Sequence, residues 1–217
     1  MKKVSVALVM AMIAFAFGYN SANAANIIIN GSFETPQIGG WKVYKSIPGW
    51  NTSQGPGIEV QHGVAGKPQH GNQLVELDSH ANTAIYQDVR TQAGKTYRLT
   101  FYFSARPGTR AGDNRLQVSW GGRVIGTLDA GKGGGNTSWK AYSYVVSAGT
   151  NRTRLAFKDV GISNSLGTYI DNVSLIKEIQ KPGGKNPGAT WSKWESFGMG
   201  FAQRNPSDAS LPLSPYV

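Results

Sequence analysis

Apolar and polar side chains alternate along much of the chain. At 97–104, Tyr97, Leu99, Phe101 and Phe103 fall on one side, and Arg98, Thr100, Tyr102 and Ser104 on the other. That is the two-residue period of a half-buried β-strand. Leu116, Val118 and Trp120 form a second inward-facing set, and Leu155 with Phe157 a third. Strands are predicted at 57–61, 73–77, 83–89, 97–104, 115–120, 124–128, 140–146, 152–158 and 168–175. Gly, Asn, Pro and Asp separate them, and no stretch sustains a 3.6-residue period. Short strands so spaced predict an all-β fold, a two-sheet antiparallel β-sandwich of jelly-roll type. Trp50, just after Pro48-Gly49, and Trp120, which shares the parity of Leu116 and Val118, are expected in the core. Trp41 and Trp139 lie near loops and stay open as stacking residues.

The two ends of the chain read differently. Lys2 and Lys3 precede an apolar run over 4–18, and Ala22-Asn23-Ala24 follows. A basic start, a short apolar middle and small residues at the cleavage point make 1–24 a secretory signal peptide, with Ala25 as the expected mature terminus. The run is short for a membrane span of ~20 residues, so no transmembrane segment is expected in the mature chain. The sandwich is assigned to 25–176. From 177 to 189 proline, glycine and lysine dominate, which is linker composition. The remainder to 217 is read as an irregular tail, in which Trp191, Trp194 and Phe197 alone hint at a helical stripe.

Composition narrows the chemistry. The 217 residues include no cysteine, which excludes a disulfide scaffold, zinc–thiolate and iron–sulfur sites, and a thiol nucleophile. Losing Lys2 and Lys3 with the leader takes 22 basic residues to 20 against 12 acidic ones, a net charge of +8. Such a surface favours acidic partners: polyuronates, acidic exopolysaccharide, teichoic acids or lipid A phosphates. No nucleic-acid motif is present and no nucleic-acid partner is expected. His62, His70 and His80 sit in polar segments without metal-ligand spacing and are read as loop residues. The glycine-rich stretch 131–136 lacks the spacing of a phosphate-binding loop and is read as a flexible loop. Glu76 and Asp78 share a strand face, as a glycosidase pair would require. Paired acids on a strand are more often its solvated face, so no enzyme is expected.

Five stretches carry a family resemblance. Near the start stand Asn26-Ile27-Ile28-Ile29-Asn30-Gly31-Ser32-Phe33-Glu34 and Ile47-Pro48-Gly49-Trp50. The middle has Gly71-Asn72-Gln73-Leu74-Val75-Glu76-Leu77-Asp78 and Ala93-Gly94-Lys95-Thr96-Tyr97. The end has Gly167-Thr168-Tyr169-Ile170-Asp171-Asn172-Val173-Ser174-Leu175. Together they resemble the galactose-binding-like β-sandwich of secreted carbohydrate-binding modules, in particular a subgroup of plant cell-wall proteins of unknown function and their bacterial relatives. The resemblance implies a structural calcium ion held by the side chains of Glu34 and Asp171, with carbonyls near Ser32 and at the Lys95–Thr96 turn. Calcium's preference for six to eight oxygens of mixed kind accords with that set.

Sugar recognition calls for aromatic faces and a few placed polar groups. The candidates are Glu76, Asp78, Tyr86, Tyr102, Arg106 and Asn114. Tyr86 and Gln87 point to opposite faces, so a regular strand offers only one of them. The expectation is a secreted, periplasmic or extracellular, lectin-like module that binds a glycan without chemistry. Its rival is a structural or adhesive protein of the envelope or matrix.

Overall fold

The computed structural model describes residues 25–179. The expected leader at 1–24 and the tail from 180 onward lie outside the described residues. Within them there is no helix, so none is long and apolar enough to cross a membrane. Twelve strands are present: β1 Trp41–Tyr44, β2 Ser46–Ile47, β3 Trp50–Gln54, β4 Ile58–Gln61, β5 Leu74–Glu76, β6 Ala84–Arg90, β7 Thr96–Ser104, β8 Arg115–Trp120, β9 Arg123–Asp129, β10 Lys140–Ser147, β11 Arg152–Asp159 and β12 Tyr169–Lys177.

They form two six-stranded antiparallel sheets. The first has the order β1-β4-β5-β12-β7-β10, the second β2-β3-β6-β11-β8-β9. The sandwich is therefore the one the alternation predicts, and each predicted strand falls within two residues of an observed one. Three strands were not predicted: β1, β2 and β3. Each is short, and Pro48-Gly49 turns the chain between β2 and β3, where Gly49 adopts a φ of 84°. Runs of two to five residues carry too few alternations to declare a period.

The inward parities hold. Leu99, Phe101, Leu116, Val118, Leu155 and Phe157 have no solvent exposure. Phe101 joins the layers: its ring stands edge-on to Phe157 at 5.0 Å and lies parallel to Tyr142 and Tyr144 of the neighbouring strand at 5.7 and 6.2 Å. Trp50 is fully buried between Phe33 and Phe157, its indole donating to the Asn30 carbonyl at 3.1 Å. Trp120 is buried too and donates to the Ser147 carbonyl. Both satisfy the one polar atom a buried indole carries. The first and last described segments meet: Asn26 bridges Ile176, and Ile27 donates to the Leu175 carbonyl. The stretch 131–136 is tied rather than loose. Gly108 donates to Gly134, Gly133 donates to Thr109, and the Asn136 side chain accepts from Lys67.

Candidate functional site

Parity puts charged groups on the outer face of the first sheet. Val60, Val75 and Ile170 turn into the core, so Glu59, Gln61, Glu76 and Tyr169 turn out. The register then lines up Val43, Glu59, Glu76, Tyr169 and Ser104 in one row across β1, β4, β5, β12 and β7. Trp41 and Gln61 face each other in the row beside it.

Gln61 organises this face. Its amide nitrogen donates to Glu59 Oε1 at 2.8 Å and to Glu76 Oε2, while its carbonyl accepts the Tyr169 hydroxyl at 2.9 Å. Glu76 Oε1 accepts the Gly167 amide at 2.9 Å and lies 3.2 Å from Arg106 Nε. Arg106 alone keeps appreciable exposure, with 22% of its side chain open against 1% for Glu76. At the margin Trp41 stands 53% exposed, its ring edge-on to His80 at 6.4 Å. The result is a buried polar floor, a cation at its edge and an aromatic wall.

Burial sets the acidity of the floor. It pushes the Glu76 carboxyl up to about 8; Gly167 and Arg106 pull back, and Glu59 and Asp78 add to the rise. Glu59 is raised by the same loss of water, against Gln61, Arg106 and His80. Tyr169 is raised by burial and by Glu76. Both carboxylates are pushed upward, so near neutral pH the pair retains a proton.

A second acidic set holds up the end of the site. Asp78, Asp113 and Asp159 are all buried, and each gives at least one oxygen to the same loop. Asp78 accepts the Asn164 amide, Asp113 the Asn164 side chain, and Asp159 the Gly161 and Thr168 amides. Burial pushes Asp159 up to about 6. Their focus is Gly167, where a Cβ would come 2.6 Å from Asp159 Oδ2 and 2.7 Å from the Asp78 Cβ. Only glycine allows its amide to reach Glu76 from there.

Of the sequence candidates, Glu76 and Arg106 meet directly, and Asp78 stands beside them as a loop anchor. Asn114 is consumed internally. It accepts from the Arg106 amide and donates to Thr109 and to the Gly131 carbonyl, so it shapes the loop instead of facing a ligand. Tyr102 is half-buried on the same sheet face, opposite Asp171 and Ala141. Tyr86 belongs elsewhere: it lies on the outer face of the second sheet, with the Arg154 guanidinium 3.7 Å above its ring. Gln87 points inward and pairs with both the amide and the carbonyl of Ile29. Trp139 is partly covered and donates to the Lys67 carbonyl. Sequence reasoning missed Glu59, Gln61 and Tyr169. Only the period-2 parity of 57–61 pointed at the first two, and nothing in one strand says what stands across from it.

Glu34 and Asp171 converge on one loop. Glu34 Oε1 accepts the Asn72 and Gln73 amides, and Asp171 Oδ2 accepts those of Gln69 and His70. Gly71, with a φ of 69°, lies against the Glu34 carboxylate where any side chain would collide. A bulge in β12 between Asp171 and Ser174 puts Asn172 at a φ of 49°, and Asp171, the last residue in register before it, is wholly buried. Burial, with a smaller push from the Glu34 charge and against the His70, Asn172 and Gln69 amides, raises Asp171 to about 7. Ser32 sits in the Asn30–Phe33 turn just ahead of Glu34. Lys95 is a correction. It precedes β7, whose far end reaches Tyr102 opposite Asp171, about 20 Å along the strand. Its carbonyl is taken by the Ala148 amide. Asn30 organises its turn, accepting from the Thr35 amide and donating to the Thr35 and Pro48 carbonyls. Among the described residues no set of three or more His, Asp and Glu side chains is arranged as metal ligands.

Residues 26–177 match the family described as protein of unknown function (DUF642). The chain belongs to that family. The match begins at Asn26 and ends one residue past Ile176, its bridge partner, and so spans the whole DUF642 sandwich. Over 160 residues this DUF642 chain is 30% identical to a multifunctional-autoprocessing repeats-in-toxin of Vibrio cholerae, covering 73% of this chain and 3% of the toxin. It is 28% identical to the halomucin of Haloquadratum walsbyi over 186 residues, 80% of this chain and 2% of that one. The chain thus spans at most 3% of these relatives. Among solved structures, similar chains include a family 35 carbohydrate binding module from Clostridium thermocellum, with 13% identity, 68% of this chain, 95% of that one and a TM-score of 0.42. TmCBM61 in complex with β-1,4-galactotriose gives 18% identity, 71% of this chain, 100% of that one and a TM-score of 0.43.

Proposed function

We propose that this chain is a secreted, non-catalytic carbohydrate-binding domain, with acidic polysaccharide among its ligands and a structural calcium ion. The observation that carries the reading is the outer face of the first sheet. There the exposed Trp41 ring adjoins His80 and a hydrogen-bonded floor of Glu59, Gln61, Glu76 and Tyr169 edged by Arg106. A sugar offers an apolar C–H face to an aromatic ring and hydroxyls to fixed amides, carboxylates and guanidinium groups. The basic leader-like start supports export, and the net charge supports acidic glycans.

The carboxylates serve binding in this reading and not hydrolysis. Glu59 and Glu76 share one amide donor and are buried, which leaves no cleft for a sugar ring between them. Calcium fits the Glu34–Asp171 pair. Two carboxylates converge on a single loop, and the neighbouring charge that acts on Asp171 is another anion. When bound, the ion supplies positive charge to that pair. Its remaining oxygens would come from carbonyls of the turn around Ser32 and of the loop that both carboxylates hold.

The test is a glycan array probed with the exported chain in calcium at low and high salt. Selective binding that survives high salt supports a built sugar site. Failure to bind any glycan overturns the reading in favour of a structural or adhesive role.

A further inference from the structure

The second sheet turns a different chemistry to solvent. Along β6 its outer face carries Tyr86, Asp88 and Arg90, and along β11 Arg152, Arg154 and Lys158. Arg90 and Arg152 are direct partners in the register, and both are exposed. Like charges set opposite each other destabilise an antiparallel pair. Among the described residues no carboxylate pairs with Arg90. One acid serves the whole strip. Asp88 takes Arg154 through two parallel bonds, Nε to Oδ1 at 2.7 Å and Nη2 to Oδ2 at 2.8 Å, and Arg152 approaches it at 3.9 Å.

This strip is shaped as well as charged. The doubly bonded fork of Arg154 lies 3.7 Å over the Tyr86 ring, so its plane is held in place before any ligand arrives. Two hollows of about 650 and 760 Å³ flank the strip and share Asp88 and Arg152 as walls. The first is also lined by Arg123 and Arg154, the second by Arg90.

We propose that this arginine strip is a second binding site, which takes the carboxylates of a uronic-acid polysaccharide. The polymer class rests on the carbohydrate reading above, but the residues do not. A guanidinium matches a carboxylate with two parallel hydrogen bonds. Arg90 and Arg152 have free donors one strand apart, and Arg154, about 7 Å further along β11, adds only the outer N–H groups that its fork on Asp88 leaves over. A chain with a carboxylate on each sugar meets such a row repeatedly, and its anions relieve the repulsion between Arg90 and Arg152.

The test is binding of the full exported chain to polygalacturonate, at salt from about 0.05 to 0.5 M. Neutral galactan, duplex DNA and anionic phospholipid vesicles are run alongside. Arg90→Gln with Arg152→Gln should weaken polygalacturonate binding at least about tenfold while the melting temperature holds. If the double variant fails to fold, each single variant should still cost about threefold. Lys140→Gln, which removes an exposed charge from edge strand β10 of the first sheet, should leave polygalacturonate binding unchanged. Unaltered binding by the arginine variants overturns the proposal, as does binding of DNA or vesicles as tight as that of polygalacturonate. Loss of every neutral-glycan signal, with arginine-dependent polygalacturonate binding intact, removes the Trp41 site and leaves this one standing.

Discussion

Glu59 and Glu76 stand directly opposite one another across β4 and β5, and the single amide of Gln61 donates to both. Two opposed carboxylates out of water would repel each other strongly if both were ionised. Arg106 and the shared amide offset part of this, and a retained proton offsets the rest.

That arrangement has a pH signature. Glu76 releases its proton near pH 8 in the folded chain and near 4.5 when unfolded, so the folded state holds the proton more tightly. The associated stability is complete below about pH 4.5 and is lost as pH rises to about 8. At fixed, saturating calcium the melting temperature should fall across that window, by the equivalent of about 2–4 kcal/mol. Glu76→Gln should flatten the fall. A variant whose curve superimposes on that of the parent would show that the pair does not hold a proton.

Sugar binding at the first sheet should depend on Trp41. Because that ring is 53% exposed, Trp41→Ala should leave the melting temperature within about 1 °C. The affinity for whichever neutral glycan the array selects should drop about tenfold or more. Equal affinity in the variant, measured by calorimetry, would place that glycan elsewhere.

Chelation should lower the melting temperature by about 5–11 °C if calcium is present at a hundredfold excess over its dissociation constant. Asp171→Asn and Glu34→Gln should each abolish the sensitivity, because the two carboxylates hold the same loop. An unchanged melting temperature, together with no metal in the purified protein, would dismiss the ion.

Phe101 is the packing element most exposed to test. It contacts Tyr142 and Tyr144 within its sheet and Phe157 across the core. Phe101→Ala should cost about 3–5 kcal/mol in denaturant unfolding. A loss under about 1 kcal/mol would mean that the two layers do not depend on this ring.

Much of this was legible in one dimension. Alternation along 97–104, 115–120 and 152–158 declared which side chains face inward, because a strand's period is set by its own backbone. The start at Asn26 and the end at Asp171 carried the family likeness and with it the Glu34–Asp171 pair, which the fold does bring onto one loop. Glu76 and Arg106 were also within reach, since Glu76 ends β5 and Arg106 follows the clear strand β7 by two residues.

The rest required the pairing of strands. Parity assigns Glu59, Gln61, Glu76, Tyr86 and Arg90 to a face of their own strands, but it does not say which strand lies beside which, or in which register. Those choices put Gln61 between two glutamates, moved Tyr86 to the opposite sheet under Arg154, and carried Lys95 to the far end of β7. They also set Arg90 against Arg152. The local pattern decided what each strand hides. Long-range hydrogen bonding, summed over both sheets, decided which exposed groups became neighbours, and the chemistry of this protein lies in those neighbours.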